Sequence, residues 1–536
     1  MTNKLRLAII TNVNNYYAWQ DVIVNKLRDQ CNIEILLHLS YNKENSNSKS
    51  DPFFWKFFKR IDSKIFNPHP FALQTVSNTK FQDDFIETNY LKNDESFDIS
   101  SYKIDVVLNF SHISRPKINL NQVTHGMWFI TPCDLNEVNK KPYGIWELIN
   151  KRSENIAVLR CITKDDISPS TIAVTSSCSD LLSYKRNINS LMWQASLLFI
   201  HNIKLLASNE SLFIKKLLAN DSLYSDKALE PDEFLPSNGL IISYALKLYY
   251  NKIKQLINST FFFNQWALIY RNNKDRNFSF DFSTYKPILP PKDRFWADPF
   301  LLKRNGKFYL FIEELIYKNK LGHLSVMEID ENGNYSKPKA IMVKDYHLSY
   351  PFIFEDQGEL YMIPETSGNK DIQLYKCIDF PLKWDLEKVL MYDVIAVDTT
   401  IHKLNDTYWM FTNLKKHEGA AKHVELYAFS TDNLISGHWI EHPLNPVVTD
   451  IKTSRPAGSI FEENNKLYRP SQDCSNFYGY GLNIMEITQL SNSEYEEKLH
   501  YKIEPNWNKS IISTHTFNGL DTMEIGDIKI KRRRFF

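Results

Sequence analysis

Asp298, Tyr350 and Asp398 open three similar stretches of the chain, and Glu313, Glu365, Asn413 and Gln472 stand fifteen residues after the openings at 298, 350, 398 and 457. Carboxylates that recur at equivalent positions suit glycosyl chemistry, in which one carboxyl stays ionised while its neighbour is pushed towards protonation. Asp298, Asp398, Glu313 and Glu365 are therefore the candidate catalytic groups. Arg455 lies among small residues in TSRPAGS, where a guanidinium suits a phosphate or carboxylate on a sugar donor. Arg294, Trp296, His347, Asp473 and His515 complete the candidate substrate-binding set, with the Trp296 face as a stacking platform for a pyranose. The bland alternative is that each carboxylate caps a strand end and pairs with Arg294, Arg455 or a lysine, and that the histidines are structural. H-E-x-x-H, G-x-S-x-G and P-loop patterns are absent from the sequence, against zincin, hydrolase-elbow and kinase chemistry. No metal site is expected.

The elements that must position these groups are repeats. DPFLLKRNGKFYLFIEE (298–314) is echoed by YPFIFEDQGELYMIPET (350–366), DTTIHKLNDTYWMFTNL (398–414) and AGSIFEENNKLYRPSQD (457–473), each a strand, an Asn or Gly turn and a strand. The opening strand returns in STHTFN (513–518), and a further strand follows each of the four repeats in GHLSVMEID, DIQLYKCID, HVELYAFSTD and GLNIMEITQL. Units of about 50 residues with about four strands each predict propeller blades. Five openings give an all-β five-bladed β-propeller over 263–530, with WALIYRN (266–272) as the outer strand that closes the ring. An ordinary antiparallel sandwich is the alternative. In a propeller the first strand of every blade lines the axis, so the openers converge.

Residues 1–218 read differently. Short apolar runs, LRLAIITN (5–12), IEILLHLS (33–40), IDVVLNF (104–110), MWFIT (127–131) and IAVLRCI (156–162), alternate with helical segments, which predicts an α/β domain with a mostly parallel sheet. One or two helices from Arg186 to Leu218 close it. A linker and amphipathic helix are expected over 219–262, and a basic tail over 531–536. With 536 residues, 43% hydrophobic, 24% charged and a formal charge of +1, the chain should fold into more than one domain and carries no global electrostatic case for nucleic acid. Six cysteines without a C-x-x-C pair, and a start without a signal-peptide pattern, point to the cytoplasm. DPFFWKFFKRIDSKIF (51–66), LIISYALKLYYNKIKQLI (240–257) and KRRRFF are basic and aromatic, which suits a peripheral contact at the inner face of a membrane, or helices docked between domains.

RFWADPFLL, YLFIEE, HLSYPFIFE, LYMIPET, LYK, FPLKW, KVL and VDTTI resemble the propeller domain at the N-terminal part of plant glucosamine inositolphosphorylceramide transferases, a domain that bacterial chains also carry. The resemblance covers about 265–530 and leaves the plant enzyme's separate glycosyltransferase domain without a counterpart. In outline the repeats are also similar to five-bladed furanosidases, which implies Asp298 or Asp398 as base and Glu313 or Glu365 as acid. LRLAIITN with Asn14 and Trp19, DVVLNFS, THGMWFITPCD, YGIWEL and KRNINSLMWQASLLFIHNI resemble the formyltransferase fold. Phe129, Ile130, Thr131 and Pro132 stand where that family carries Asn-x-His-Pro, so folate is not expected, although Asp165 or Asp166 matches the family's distant Asp. The expectation is a carbohydrate-active transferase, a glycosyltransferase of bacterial surface polysaccharide or glycolipid assembly, acting on a sugar nucleotide or glycan. The alternatives are a formyl- or acyltransferase on an amino-sugar nucleotide and a non-catalytic glycan-binding scaffold.

Overall fold

The computed structural model describes residues 4–12, 16–41, 52–76, 87–92, 95–111, 116–131, 144–163, 169–224, 236–272 and 278–534. The chain divides into two compact units, Met1–Tyr250 with Glu418–Ala421, and Asn251–His417 with Lys422–Phe536.

Unit 1 is built on a seven-stranded sheet. In chain order it runs β1 (Leu5–Asn12), α1 (Ala18–Arg28), β2 (Ile33–Tyr41), α2 (Phe53–Ile65), β3 (Glu87–Leu91), β4 (Val106–Asn109), β5 (Met127–Thr131), α3 (Ile145–Ile149), β6 (Glu154–Ile162), β7 (Ser170–Cys178), α4 (Tyr184–Ser208) and α5 (Glu210–Tyr224). The strand order is β3-β2-β1-β4-β5-β6-β7. Pairings up to β5 are parallel, and β6 is antiparallel to both its neighbours. Residues 7–10 of β1 are a continuous apolar run because both faces are covered there: Leu7 and Ile9 enter a core with α1 and α4, and Ala8 and Ile10 enter a second core on the other side. The two closing helices are α4 and α5. The expected linker begins later than 219, because α5 continues to Tyr224 and the Asn220 side chain donates to the Ile172 carbonyl at 2.7 Å. Most of the remaining linker, Asn14, Pro132, Asp165 and Asp166 lie outside the described residues. α6 (Asn238–Phe261) is the amphipathic helix expected after it.

Unit 2 is a five-bladed propeller, its five sheets following one another around the ring. Blade 1 spans Arg294–Arg304 to Lys339–Met342, blade 2 Ser349–Asp356 to Lys383–Tyr392, blade 3 Ala396–Leu404 to Ile440–Glu441, and blade 4 Arg455–Pro456 to Tyr495–Ile503. Blade 5 takes its inner strands from Ile511–Ser513 and Phe517–Leu520, its second strand from Met523–Arg533, and its outer pair from Phe262–Asn272 and Lys286–Ile288. WALIYRN is thus the third strand of the closing blade rather than the outermost. The expected basic tail is strand as far as Arg533, since EIGDIKIKRR alternates apolar and polar residues and Lys531, Arg532 and Arg533 pair with Asn264, Phe263 and Phe262. Blades adhere through apolar faces: Phe300, Phe352, Met362 and Met410 belong to one core joining blades 1 to 3, and Ile269, Ile484 and Phe517 to another joining blades 4 and 5. Among the described residues no helix is long and apolar enough to cross a membrane.

Candidate functional site

The first strand of each of blades 1 to 3 breaks register at its opener, between Ala297 and Phe300, Ser349 and Phe352, and Val397 and Thr400. Asp298, Tyr350 and Asp398 sit in these bulges at φ of 48°, 47° and 51°. Positive φ in three non-glycine residues at matching positions is strain that the surroundings must hold in place. The surroundings do so with carboxylates. Asp527 Oδ2 accepts the Asp298 backbone N–H at 3.1 Å, and Asp298 Oδ2 accepts that of Tyr350 at 3.2 Å. The Tyr350 hydroxyl accepts the Gly458 N–H at 2.8 Å and lies 2.9 Å from Thr400 Oγ1. All five blades are tied together at the axis by these bonds.

Around this network the candidate groups gather. Asp398 Oδ2 receives Arg455 Nε at 2.6 Å and the Gln472 side-chain amide at 2.8 Å. The same guanidinium reaches Glu365 Oε2 at 3.6 Å, takes the Tyr478 hydroxyl as acceptor at 3.2 Å, and lies 4.8 Å from that ring's centre. His515 stacks on Trp266 with ring centres 4.0 Å apart, and its Nδ1 meets Asp527 at 2.6 Å. Thr516 donates to Asp298 Oδ1 at 2.9 Å. His347 Nε2 is 3.1 Å from Glu313 Oε1, and its Nδ1 accepts the Gly322 N–H at 3.0 Å. Asp298, Glu313, Asp398, Arg455 and His515 are buried, whereas Glu365 is partly open and His347 and Tyr478 are exposed, forming the rim that solvent reaches.

Five carboxyls, those of Asp298, Glu313, Glu365, Asp398 and Asp527, thus face one guanidinium and two imidazoles. Such a surplus of buried acid cannot stay fully ionised. Burial, with Asp298 adding to it and His347 opposing it, lifts Glu313 to about 7. Burial lifts Asp298 and Asp398 as well, opposed at Asp398 by Arg455. His515 goes the other way from most buried histidines: burial pulls its pKa down, but Asp527 and Asp298 outweigh that and raise it to about 9. His347 is raised by its bond to Glu313. The cluster therefore holds a fixed cation at Arg455, a charged His515, and one carboxyl able to give or take a proton at neutral pH. Asp298, His515 and Asp527 offer atoms within 4.8 Å of one another, a spacing that the imidazolium ion pair itself accounts for.

Two expected members are elsewhere. Trp296 is core, not a platform: its Nε1 donates to Glu314 Oε1 at 3.1 Å and its ring packs edge-on to Tyr335. Arg294 binds Glu314 and Asp293. Both belong to a second cluster centred on Glu314, which burial would raise but four hydrogen bonds hold at about 2. Trp296 pairs with Glu314 across the strands while Ala297 pairs with Glu313, so adjacent residues serve opposite faces of the sheet. Asp473 is occupied by the backbone N–H and hydroxyl of Ser475. Asp527, Thr516 and Tyr478 were not among the expected residues. An acid in the middle of the alternating strand MEIGDIKIK was the available signal for Asp527. A separate cavity of about 270 Å³, lined by Phe354, Asp356, His402, Lys403 and Tyr408 among others, lies at the far ends of the blade 2 and 3 inner strands and contains none of the expected residues.

Residues 289–535, a little under half of the chain, match the family described as glucosamine inositolphosphorylceramide transferase 1, N-terminal. Its curated relatives named glucosamine inositolphosphorylceramide transferase 1 include a protein of Oryza sativa subsp. japonica, 34% identical over 206 residues, and one of Arabidopsis thaliana, 33% identical over 206 residues. Each alignment covers 38% of this chain and 27% of the relative. Among solved structures, a family 117 glycoside hydrolase of Zobellia galactanivorans aligns with a TM-score of 0.33 and 12% identity over 50% of this chain and 90% of its own. The catalytic domain of a Coprinopsis cinerea α-L-arabinofuranosidase aligns with a TM-score of 0.32 and 10% identity over 44% and 90%. Scores this low transfer neither chemistry nor substrate.

Proposed function

We propose that this protein is carbohydrate-active, a glycosyl transferase of surface polysaccharide or glycolipid assembly, and that the axial cluster of the propeller is its sugar site. The observation that carries the reading is the convergence of Asp298, Glu313, Glu365 and Asp398 on Arg455 and His347 at the blade openers. Ionised carboxylates accept sugar hydroxyls, Arg455 supplies a cation for a donor's phosphate, and Glu313 with His347 moves the proton that departs from or arrives at a glycosidic oxygen. Asp398 serves here as the anchor of Arg455 rather than as a free base, because Arg455 and Gln472 both bond its Oδ2. The match to plant transferases supports the substrate class. The setting in this reading is cytoplasmic, as the cysteine spacing suggests.

The test is calorimetric titration and turnover of a panel of nucleotide sugars and glycans with the full chain, Glu313→Gln and Arg455→Lys. Loss of turnover in Glu313→Gln with binding retained, and loss of binding of phosphate-bearing donors in Arg455→Lys, are expected. Binding without turnover of any donor would favour the glycan-binding scaffold. Unchanged binding and turnover in both variants would move the site to unit 1. There the sheet order changes direction between β1 and β4, and the carboxyl ends of strands at such a switch point are where nucleotides bind in open α/β sheets. Phe129, Ile130 and Thr131 occupy β5 without the Asn and His of working formyltransferases, so no formyl transfer is assigned.

A further inference from the structure

We propose that α2 and the first half of α6 together form a face that seats unit 1 on an anionic lipid bilayer, an inference independent of the carbohydrate reading. The two segments are far apart in sequence but locked side by side. Phe54 N–H donates to Asn238 Oδ1 at 3.1 Å, Trp55 stacks on Phe58, and Phe58 meets the Tyr244 ring at 5.8 Å. Trp55, Ile241 and Tyr244 form the buried seam between them. Exposed apolar and basic side chains lie on the surface away from that seam. On α2, Phe53, Phe57, Ile61 and Ile65 recur every fourth residue as one stripe with exposures of 71%, 53%, 40% and 66%. Lys56, Arg60 and Lys64, also four apart, run as an exposed basic stripe beside it. On α6, Leu246, Tyr249 and Tyr250 are 64%, 68% and 65% exposed, next to exposed Lys247.

The charge on this face has one sign. Asp62, the acidic residue of α2, is turned inwards at 3% exposure, where its Oδ2 accepts the Lys185 N–H in the first turn of α4 at 2.7 Å. α6 contains no acidic residue over 238–261. A second copy of the same face would bring like charges together, whereas an anionic bilayer complements them. Exposed Phe, Leu, Ile and Tyr beside a lysine and arginine stripe is the arrangement of a helix lying in the headgroup boundary, and no described helix is long and apolar enough to cross.

The experiment is sedimentation of the full chain with phosphatidylcholine vesicles, with and without about one-third phosphatidylglycerol. The protein should pellet with the anionic vesicles, stay in solution with the neutral ones, and be released by salt. Lys56→Gln and Lys64→Gln should each weaken binding by about fivefold. Phe53→Ser with Phe57→Ser should abolish it while the melting curve and circular dichroism stay as in the parent, since neither side chain is in the core. Trp55→Ser is the folding control and should lose helix. Failure of the parent to bind anionic vesicles, or binding by the Phe53→Ser and Phe57→Ser double variant equal to the parent's, overturns the proposal. So does a parent that runs as a dimer which the same double variant converts to monomer, because the face would then be covered by a second copy.

Discussion

In the proposed reaction Glu313 is the residue that moves the proton at neutral pH. It is buried, it bonds the exposed imidazole of His347, and burial lifts its carboxyl to about 7. Glu313→Gln keeps the shape and a hydrogen bond to His347 but removes the titration, so turnover should fall by roughly two to four decades and the limb of the rate profile near pH 7 should vanish, with melting little changed. A profile that keeps that limb assigns the proton to another group. His515 gives a stability prediction with a definite sign. Its folded pKa, about 9, lies above the usual value of 6.5 for histidine, so its ion pair with Asp527 stabilises fully below about pH 6.5 and that contribution is lost as pH rises through 9. Melting temperatures measured from pH 6 to 10, a range of about four units around these values, should decline for the parent and flatten for His515→Gln. Asp298, Glu313, Asp398, Arg455 and His515 were legible because they repeat or stand among small residues. Trp296 and Arg294 misled because sequence proximity to Asp298 does not say which sheet face a side chain serves, and Asp527 hid because its partner lies in another strand.

At the scale of elements, the bulged opener and the glycine behind it matter most. Gly322 starts the third strand of blade 1, and a Cβ there would meet His347 Cε1 at 2.6 Å, the Leu348 carbonyl at 2.7 Å and Glu313 Oε1 at 2.8 Å. Backbone cannot give way as a side chain can, so Gly322→Ala should cost about 1–3 kcal/mol and separate His347 from Glu313. Calorimetric melting would read the first effect and an NMR pH titration of His347 the second, where its raised pKa should fall back; an unchanged titration would show that the pair tolerates the methyl. Blade strands could be read because four copies of strand, turn and strand confirmed one another. β3 and β7 could not. ETNYL is a short edge strand with one fully buried residue, and STIAVTSSC mixes serine and threonine into a buried strand, so neither shows the apolar period that marked β1 or β2. The amphipathic stretch in 51–66 was recognised, but which of its aromatics face inwards became clear only once α6 supplied the other wall of the seam.

For the whole molecule, the family match and the closed ring do not have the same limits. The match begins at 289, yet the second strand of blade 5 pairs along eleven residues, Met523 to Arg533, with Asn272 to Phe262. That pairing closes the circle with the first strand of the unit and its last, and it also covers Leu268 and Tyr270 against Trp296 and Leu310 of blade 1. A fragment beginning at Asn251 should therefore melt in one cooperative transition and keep the His515 and Asp298 contacts, because every blade is complete. A fragment beginning at 289 lacks both outer strands of blade 5. It leaves the edge of Met523–Arg533 unpaired, exposes Ile525, Ile528 and Ile530, and should aggregate or melt without a sharp transition. Size-exclusion chromatography and differential scanning calorimetry of the two fragments distinguish these outcomes. A fragment from 289 that remains monomeric and melts as sharply as the one from 251 would show that the ring is held by its axial carboxylate network and blade-to-blade cores alone, with strand closure adding little.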